Sequence, residues 1–443
     1  MVWNVNSLFT TQDRVMAGLF RRTMWVQLFV LIFPVYLFSN IQCVNVKPQK
    51  EIYVPNYRFY HNLNLIEEEV KLLSKFPNYV KVYTQYKSRK NRPQHLLHIS
   101  NFSESKELER FKDSDSLKNK PRLLFSYGEH AREFLPVESA IRFIKNITGG
   151  LLSSSDVFSR KFTQQILSQA DIYIILMANP DGRHYVEQMK NYCWRGTSTG
   201  VDLDRNFGWE FGGMGSSDDP NDEEFRGKKP FSEPESKVFR EIISEIAFDA
   251  FFSFHSGINH IYIPYSDTRS REIQREPDNI NEMLRMASRL SRCTMYRYQY
   301  GTAPQLINYT ADGTIFDYMA GVQKIPFSFT VELWGRQHGG PSCFDLFNPE
   351  SQNLQEVVSS LHPLYINIIA HLSEWKSRNH REMANPNTDS PSLVLGYMML
   401  GITAGVSLMV CLHRKFRNCP KFSPHQRVVS LKTLSSSFST KKL

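Results

Sequence analysis

The stretch Arg122-Leu123-Leu124-Phe125-Ser126-Tyr127-Gly128-Glu129-His130-Ala131-Arg132-Glu133 decides how the chain is read. Its opening residues, Arg122 to Tyr127, form a run too short for a buried helix and typical of an interior strand. Gly128 then opens a turn, and His130 and Glu133 follow three residues apart, a spacing that aims both side chains the same way on a first helical turn. Working outward, Asp171 to Met177, Ala250 to Phe254 and Pro326 to Leu333 are strand-like runs of the same kind. Helical patterns lie among them. Leu65 to Phe76 has Ile66, Val70 and Leu73 in step and stops at Pro77. Ser232 to Ile246 opens on a capping box of Ser232 with Glu235, and Asn279 to Cys293 and Gln352 to Trp375 carry apolar stripes. Strands alternating with helices predict an α/β fold, an open mixed and mostly parallel sheet flanked by helices. Ligands bind such sheets at the carboxyl ends of their strands.

Three of these runs end in residues suited to metal chemistry. The first leads into His130 and Glu133, Ala250 to Phe254 delivers His255, and the last delivers Glu332. Two histidines and a glutamate leave zinc a fourth position for water, as a catalytic site requires. A carboxylate such as Glu332 would then take a proton from that water and return it to a leaving amine. On spacing alone the plain readings stay open: His130 as a surface histidine at a strand end, Glu332 as a solvated turn carboxylate. With 13 histidines in the chain, a chance His-x-x-Glu is common.

From about Tyr57 to Trp375 the chain resembles the carboxypeptidase A-like family of zinc metallocarboxypeptidases. The resemblance rests on Gly128-Glu129-His130-Ala131-Arg132-Glu133, Asn179-Pro180-Asp181-Gly182, Trp194-Arg195, and Gly200-Val201-Asp202-Leu203-Asp204-Arg205-Asn206-Phe207. It continues in Phe254-His255-Ser256-Gly257 and Phe327-Ser328-Phe329-Thr330-Val331-Glu332-Leu333, all in the family's order. It implies one zinc ion per chain, bound by His130, Glu133 and His255, with Glu332 as general base and acid. It implies that Arg195 polarises the scissile carbonyl and that Asp202 orients His130 through the other ring nitrogen. Arg205 would pair with the substrate's terminal carboxylate, Tyr309 would close over it, and Arg132 would reach a more upstream part of the peptide. The implied activity is hydrolysis of the C-terminal peptide bond of peptides or proteins.

The chain departs from the family pattern at Asp204, where an asparagine usually stands beside the carboxylate-binding arginine. An amide donates to a carboxylate; an ionised Asp repels it. Three readings follow: Asp204 pairs with Arg205 or a lysine and faces away, it is protonated, or the substrate's end is not an ordinary free carboxylate. Phe316, at the base of the implied specificity pocket, points to apolar C-terminal residues. Asp267 is the competing signal for a basic preference, displaced by one position on an extended segment, where a one-residue slip turns the side chain over. No long pro-segment is expected, nor an appended β-sandwich. Two other functions stay open: a catalytically inactive binding protein on a peptidase fold, and a hydrolase of an unusual amide or isopeptide at a modified terminus.

The ends of the chain speak about location. Residues 1–43 read as a signal sequence or an uncleaved signal anchor, with Arg21 and Arg22 ahead of an apolar run. A catalytic domain is expected over residues 51–376 and a Pro-, Asn- and Ser-rich stalk over 379–392. Leu393 to Leu412 carries no charge and suits a transmembrane helix, with a basic cytoplasmic tail over 413–443. That tail holds eight Lys/Arg and no Asp/Glu, so +8 of the formal +9 sits there. The remainder is nearly neutral, which argues against nucleic acid as a partner and leaves anionic headgroups or topology as the tail's role. Cys193, Cys293 and Cys343, joined by Cys43 if it survives processing, allow one or two disulfides of open pairing in an oxidising compartment; Cys411 and Cys419 lie at or beyond the membrane. Sequons at Asn101, Asn146 and Asn308 fit a lumenal or extracellular glycoprotein domain on a single-pass membrane protein of the secretory pathway or cell surface.

Overall fold

The computed structural model describes residues 54–103, 120–152, 156–336, 342–384 and 391–417. The expected signal or anchor and the tail from residue 418 onward lie outside the described residues. The strands are β1 (Val80–Tyr83), β2 (Leu96–Ile99), β3 (Arg122–Tyr127), β4 (Asp171–Ile175), β5 (Ala250–His255), β6 (His260–Tyr262), β7 (Gln299–Gly301) and β8 (Phe327–Glu332). They form one sheet in the order β1-β2-β4-β3-β5-β8-β6-β7. The central strands β4, β3, β5 and β8 run parallel. Antiparallel pairing enters where β2 meets β1 and β4 and where β6 meets β8. This is the open mixed sheet that the alternation of strands and helices predicts.

The central strands are mostly apolar on both faces because helices cover both sides of the sheet. On one face Phe125, Phe252, Phe254 and Phe329 share a core with Phe143 of the helix Leu135–Leu152 and with Leu364, Tyr365 and Ile368 of the helix His362–Ala384. On the other, Leu124 and Phe251 pack with Phe239 and Ile242 of the helix Pro234–Glu245 and Met319 of the helix Ile315–Gly321. At roughly 25 cal/mol per Å² of apolar surface buried, these two layers are the main source of the fold's stability.

Several boundaries differ from expectation for local reasons. The first helix covers Leu63–Leu72 and tightens to a 3₁₀ turn, Leu73–Lys75, before Pro77. The helix expected from Ser232 begins at Pro234, since proline fixes φ and lacks the N–H that the first helical position does not use. The capping box therefore does not form. Ser232 Oγ accepts from Asn206 Nδ2 (2.8 Å), and Glu235 turns inward to accept from the Arg89 backbone N–H (3.1 Å). The helix Asn279 to Cys293 shortens to Ile280–Leu290, and Gln352 to Trp375 is two helices, Leu354–Ser360 and His362–Ala384, separated just before Pro363. The second of these runs on into the expected stalk.

A compact unit ends at Lys376, and residues 377–443 form a second unit containing the helix Pro391–Arg417. That helix runs through the expected span, of which the side chains of residues 399–413 are described. Among the described residues no helix is long and apolar enough to cross a membrane. Cys193 is bonded to Cys343 across a separation of 150 residues, and Cys293 keeps a free thiol. Closing so long a loop removes much of the unfolded chain's freedom, an effect of about 5 kcal/mol in the chain-entropy view.

Burial pushes the Glu235 carboxyl up to about 7. An acid whose folded pKa exceeds its unfolded value loses folding stability as pH rises from about 4.5 through 7. Glu235→Gln should therefore stabilise the protein at pH 8 by roughly 1–3 kcal/mol and leave it unchanged at pH 4.5. Thermal melts at the two pH values check this; an equal effect at both would show that charge burial is not the cause.

Candidate active site

The parallel register brings three strand ends to one level. Ser126 of β3 stands opposite Ser253 of β5, Ser253 opposite Thr330 of β8, and His255 opposite Glu332. Beyond β3 the chain turns through Gly128 at φ +69°, where a Cβ would lie 2.8 Å from Met177 Sδ. The segment that follows is pinned from three sides. Asn179 Nδ2 donates to the carbonyls of Glu129 and Gly196, both at 3.1 Å. The Ala131 N–H donates to Arg195 O (2.9 Å), and Asn348 Oδ1 accepts from the N–H groups of Phe134 (2.7 Å) and Leu135 (3.0 Å).

His130, Glu133 and His255 are all buried and meet at one point. His130 Nδ1 lies 2.7 Å from Glu133 Oε1 and 3.0 Å from His255 Nδ1, which is 3.1 Å from Glu133 Oε2. The other ring nitrogens are engaged from behind. His130 Nε2 faces Asp202 Oδ1 at 3.2 Å, and His255 Nε2 lies 2.6 Å from Ser253 Oγ and 3.2 Å from Glu129 Oε2. Ser253 Oγ donates onward to Glu129 Oε1 (2.8 Å), which also accepts from Ser126 Oγ (2.5 Å). These acceptors assign the hydrogens to both Nε2 atoms and leave both Nδ1 atoms as lone pairs. Two lone pairs and a carboxylate then face one another inside the protein. A proton would serve one of the three contacts; a cation at the centre serves all of them. The residues thus fit a metal ion with nitrogen and oxygen donors, which zinc takes at about 2.0–2.2 Å.

Asp202 ties this cluster to an arginine. Its Oδ2 accepts from Arg195 Nε (2.8 Å) while its Oδ1 serves His130 and the Asp204 N–H (3.0 Å). Burial would raise the Asp202 carboxyl, but Arg195, His130 and Arg205 hold it well below the usual carboxylate range. Arg195 Nη1 stands 3.9 Å from Glu133 Oε1. Glu332 is half-buried as a residue, but its Oε2 lies inside the protein without a hydrogen-bond partner. Burial first, and then the Glu133 charge, push the Glu332 carboxyl up to about 7. A cleft of about 330 Å³ joins Glu332 to His130, His255, Arg195, Arg205, Tyr309 and Phe316.

Arg205 is held by Gly215 O (3.0 Å, from Nε) and by its own neighbour's carbonyl, Asp204 O (3.0 Å, from Nη1), and its Nη2 donates to Tyr309 Oη at 2.8 Å. Asp204 neither leaves the site nor binds Arg205 closely. Its Oδ1 accepts from the Ile315 N–H (2.9 Å) and its Oδ2 stands 3.6 Å from Arg205 Nη1. Burial, then the Glu129 charge, push the Asp204 carboxyl up. Arg132 pairs with Glu223 at 2.7 Å. Phe316 is buried on the helix Ile315–Gly321 and lines the cleft, whereas Asp267 is spent elsewhere. Asp267 Oδ2 accepts from Trp209 Nε1 (2.9 Å) and its Oδ1 caps the helix Thr268–Ile273 through the Ser270 N–H (2.7 Å). Sequence reasoning gave no role to Glu129, Ser253, Asn348, Glu223 or Glu224. Glu129 lies inside the quoted stretch, yet nothing in its spacing separates a buried acceptor from a solvated one.

Residues 66–361 match the family described as zinc carboxypeptidase. The chain is 30% identical over 288 residues to carboxypeptidase A1 of Mus musculus, an alignment covering 63% of this chain and 63% of that protein. It is 27% identical over 289 residues to carboxypeptidase O of Homo sapiens, covering 63% of this chain and 71% of that protein. The chain thus spans about 63% of the length of the carboxypeptidase A1 relative it matches. Among solved structures it is similar to bovine thrombin-activatable fibrinolysis inhibitor in complex with tick carboxypeptidase inhibitor, with a TM-score of 0.58, 24% identity, and coverage of 72% of this chain and 99% of that one. It is similar also to carboxypeptidase A from Helicoverpa armigera, with a TM-score of 0.58, 23% identity, and coverage of 72% and 75%. These structural likenesses bear on the fold.

Removing an acceptor behind either ring should weaken metal binding without deleting a donor. Asp202→Asn and Glu129→Gln are each expected to lower Zn²⁺ affinity about 10–100-fold. Competition with a chromogenic chelator measures it, and unchanged affinity in both variants would show that these carboxylates do not set the presentation of Nδ1.

Proposed function

The chain belongs to the zinc carboxypeptidase family, and from that premise we propose that it is a metallocarboxypeptidase. It removes single residues from the C-termini of peptides or proteins, with a preference for apolar side chains. The observation that carries the reading is the meeting of His130 Nδ1, Glu133 and His255 Nδ1 beside an unpartnered Glu332 oxygen in one cleft. One zinc ion, held by those three residues, would supply Lewis-acid activation of water and of the scissile carbonyl.

The chain's own groups do the rest. Glu332 takes a proton from water on the side of the cleft facing the donor triangle and returns it to the leaving amine, so its burial and raised affinity for protons suit both steps. Arg195, fixed by Asp202, aims its guanidinium at the charge that develops on the carbonyl oxygen. Arg205 and Tyr309 receive the terminal carboxylate, and Arg132 meets the peptide further upstream. Phe316 gives the pocket an apolar floor, and the commitment of Asp267 to Trp209 and to a helix cap takes away the acid that a basic side chain would seek.

We place the domain in the lumen of the secretory pathway or outside the cell, on a single-pass anchor at residues 393–412 with a cytoplasmic tail. The Cys193–Cys343 bond suits an oxidising compartment, and the uncharged run followed at once by a basic segment suits a stop-transfer helix. Asn308 is the sequon nearest the cleft; the Asn146 amide is already engaged with His362 Nδ1 at 3.1 Å.

The zinc-loaded full chain in detergent should release free phenylalanine or leucine from peptides ending in those residues. Release from peptides ending in lysine or arginine should be at least tenfold slower in kcat/KM, a difference of about 1.4 kcal/mol. Internal cleavage of C-terminally amidated peptides, with no release from free acids, would sink the reading. Glu332→Gln should lower kcat by several orders of magnitude while one zinc per chain remains by atomic absorption; loss of the metal instead would show that Glu332 had been misassigned.

A further inference from the structure

The turn that follows Gly215 places an acid where the terminal carboxylate of a substrate would sit. Glu224 Oε1 lies 3.6 Å from Arg205 Nη2 and accepts a hydrogen bond from Tyr309 Oη. The two groups assigned to the substrate's end are thus already answered by a carboxylate of this chain. Tyr309 has one hydroxyl hydrogen, and it is spent on Glu224. Its neighbour Glu223 takes Arg132 in the same way, at 2.7 Å.

The charges cannot all stay when a substrate binds. Around the Arg205 guanidinium stand Asp204 at 3.6 Å, Glu224 at 3.6 Å and Asp202 at 3.9 Å, the last shared with Arg195. A further carboxylate would add repulsion that the arginine cannot offset. Of these residents, Asp202 is buried and held by Arg195 and the Asp204 N–H, and Asp204 is 9% exposed in its side chain and locked to the Ile315 N–H. Glu224 is 34% exposed. Its turn is closed at the base by Ser217, whose N–H donates to Glu224 O, and by Phe225, whose carbonyl accepts from the Asp202 N–H at 2.7 Å. The backbone is therefore anchored beside the site while the Glu224 side chain is free to swing outward.

Building on the carboxypeptidase reading, we propose that Glu224 is a resident competitor in the terminal-carboxylate subsite. It holds Arg205 and Tyr309 in the unliganded protein and is displaced by the α-carboxylate of the substrate or of the released amino acid. Exchange of one carboxylate for another keeps Arg205 paired throughout, and ligands without a carboxylate cannot drive it. Glu224 thereby sets how tightly free-acid chain ends bind, and it favours release of the product.

The test uses the zinc-loaded full chain in detergent, with L-phenylalanine as the carboxylate probe and L-phenylalaninamide as the control. Glu224→Gln, and Glu224→Ala as a second variant, should bind L-phenylalanine about tenfold more tightly by calorimetry. Their affinity for the amide should match that of the native chain, and Glu223→Gln should leave L-phenylalanine binding unchanged. For a phenylalanine-ended peptide, KM should fall by a similar factor and kcat should change much less. Equal or weaker binding of L-phenylalanine by both Glu224 variants, in protein that still releases phenylalanine from the peptide, would overturn the competition alone. No release by native protein and variants alike would overturn the carboxypeptidase reading; tighter L-phenylalanine binding in the variants would then still support Glu224 as the occupant of the subsite.

Discussion

Two imidazole rings buried with their Nδ1 lone pairs 3.0 Å apart, against a shared carboxylate, form an arrangement that the surroundings must enforce. Left alone, each ring would turn to offer a hydrogen to Glu133. The rings are prevented from doing so by acceptors behind them, Asp202 for His130 and the Ser253–Glu129 pair for His255. Those acceptors must themselves be buried, and a buried carboxylate is costly unless it is saturated. Asp202 is saturated by Arg195 and the Asp204 N–H, and one Glu129 oxygen by two serine hydroxyls. The position of Arg195 therefore follows from the orientation of His130. One carboxylate, Asp202, sets both the orientation of the His130 ring and the position of the Arg195 guanidinium.

The sheet makes this possible through register. Ser126 and Ser253 occupy opposed positions one layer below the site, so that both hydroxyls reach Glu129. His255 and Glu332 are paired at the next level. A slip of one residue in β5 against β8 would send His255 to the opposite face and replace it with Phe254 or Ser256. The aromatic layer of Phe125, Phe252, Phe254 and Phe329 on the far face fixes that register, since each ring is buried against another. Packing on one face of the sheet is thus what keeps the chemistry aligned on the other.

Much of this was legible in the sequence, unevenly. Strands β3, β5 and β8 stand out because strands buried on both faces are apolar throughout, and their polar terminal residues then mark the site. The outer strands β1, β2, β6 and β7 escape notice, being three or four residues long. Ser232 and Glu235 satisfy a capping pattern, yet Pro234 moves the helix start past Ser232 and Glu235 faces inward. Asp267 looked like a specificity acid from its neighbourhood in sequence, but an indole and a helix N-terminus claim its oxygens. Glu223 and Glu224 lie in an acidic stretch with Asp218, Asp219 and Asp222 that reads as an ordinary solvated loop. Only the return of that loop to Arg132, Arg205 and Tyr309 distinguishes them, and contacts between residues as far as 91 and 85 positions apart leave no local trace.

The two ends of the cleft are built on opposite principles. Around the metal donors the polar side chains are held in a closed network, so the geometry is set before any ligand arrives. Around Arg205 the acids outnumber the guanidinium, with Asp202 at 3.9 Å and Asp204 and Glu224 at 3.6 Å, and Glu224 is a third exposed. A rigid end suits chemistry, where misplacement by an ångström is expensive. An end with surplus negative charge suits the exchange of one carboxylate for another that is proposed for Glu224. Asp204 belongs to this second arrangement. Fixed by the Ile315 N–H and too far from Arg205 Nη1 for a hydrogen bond, it borders the subsite without closing it.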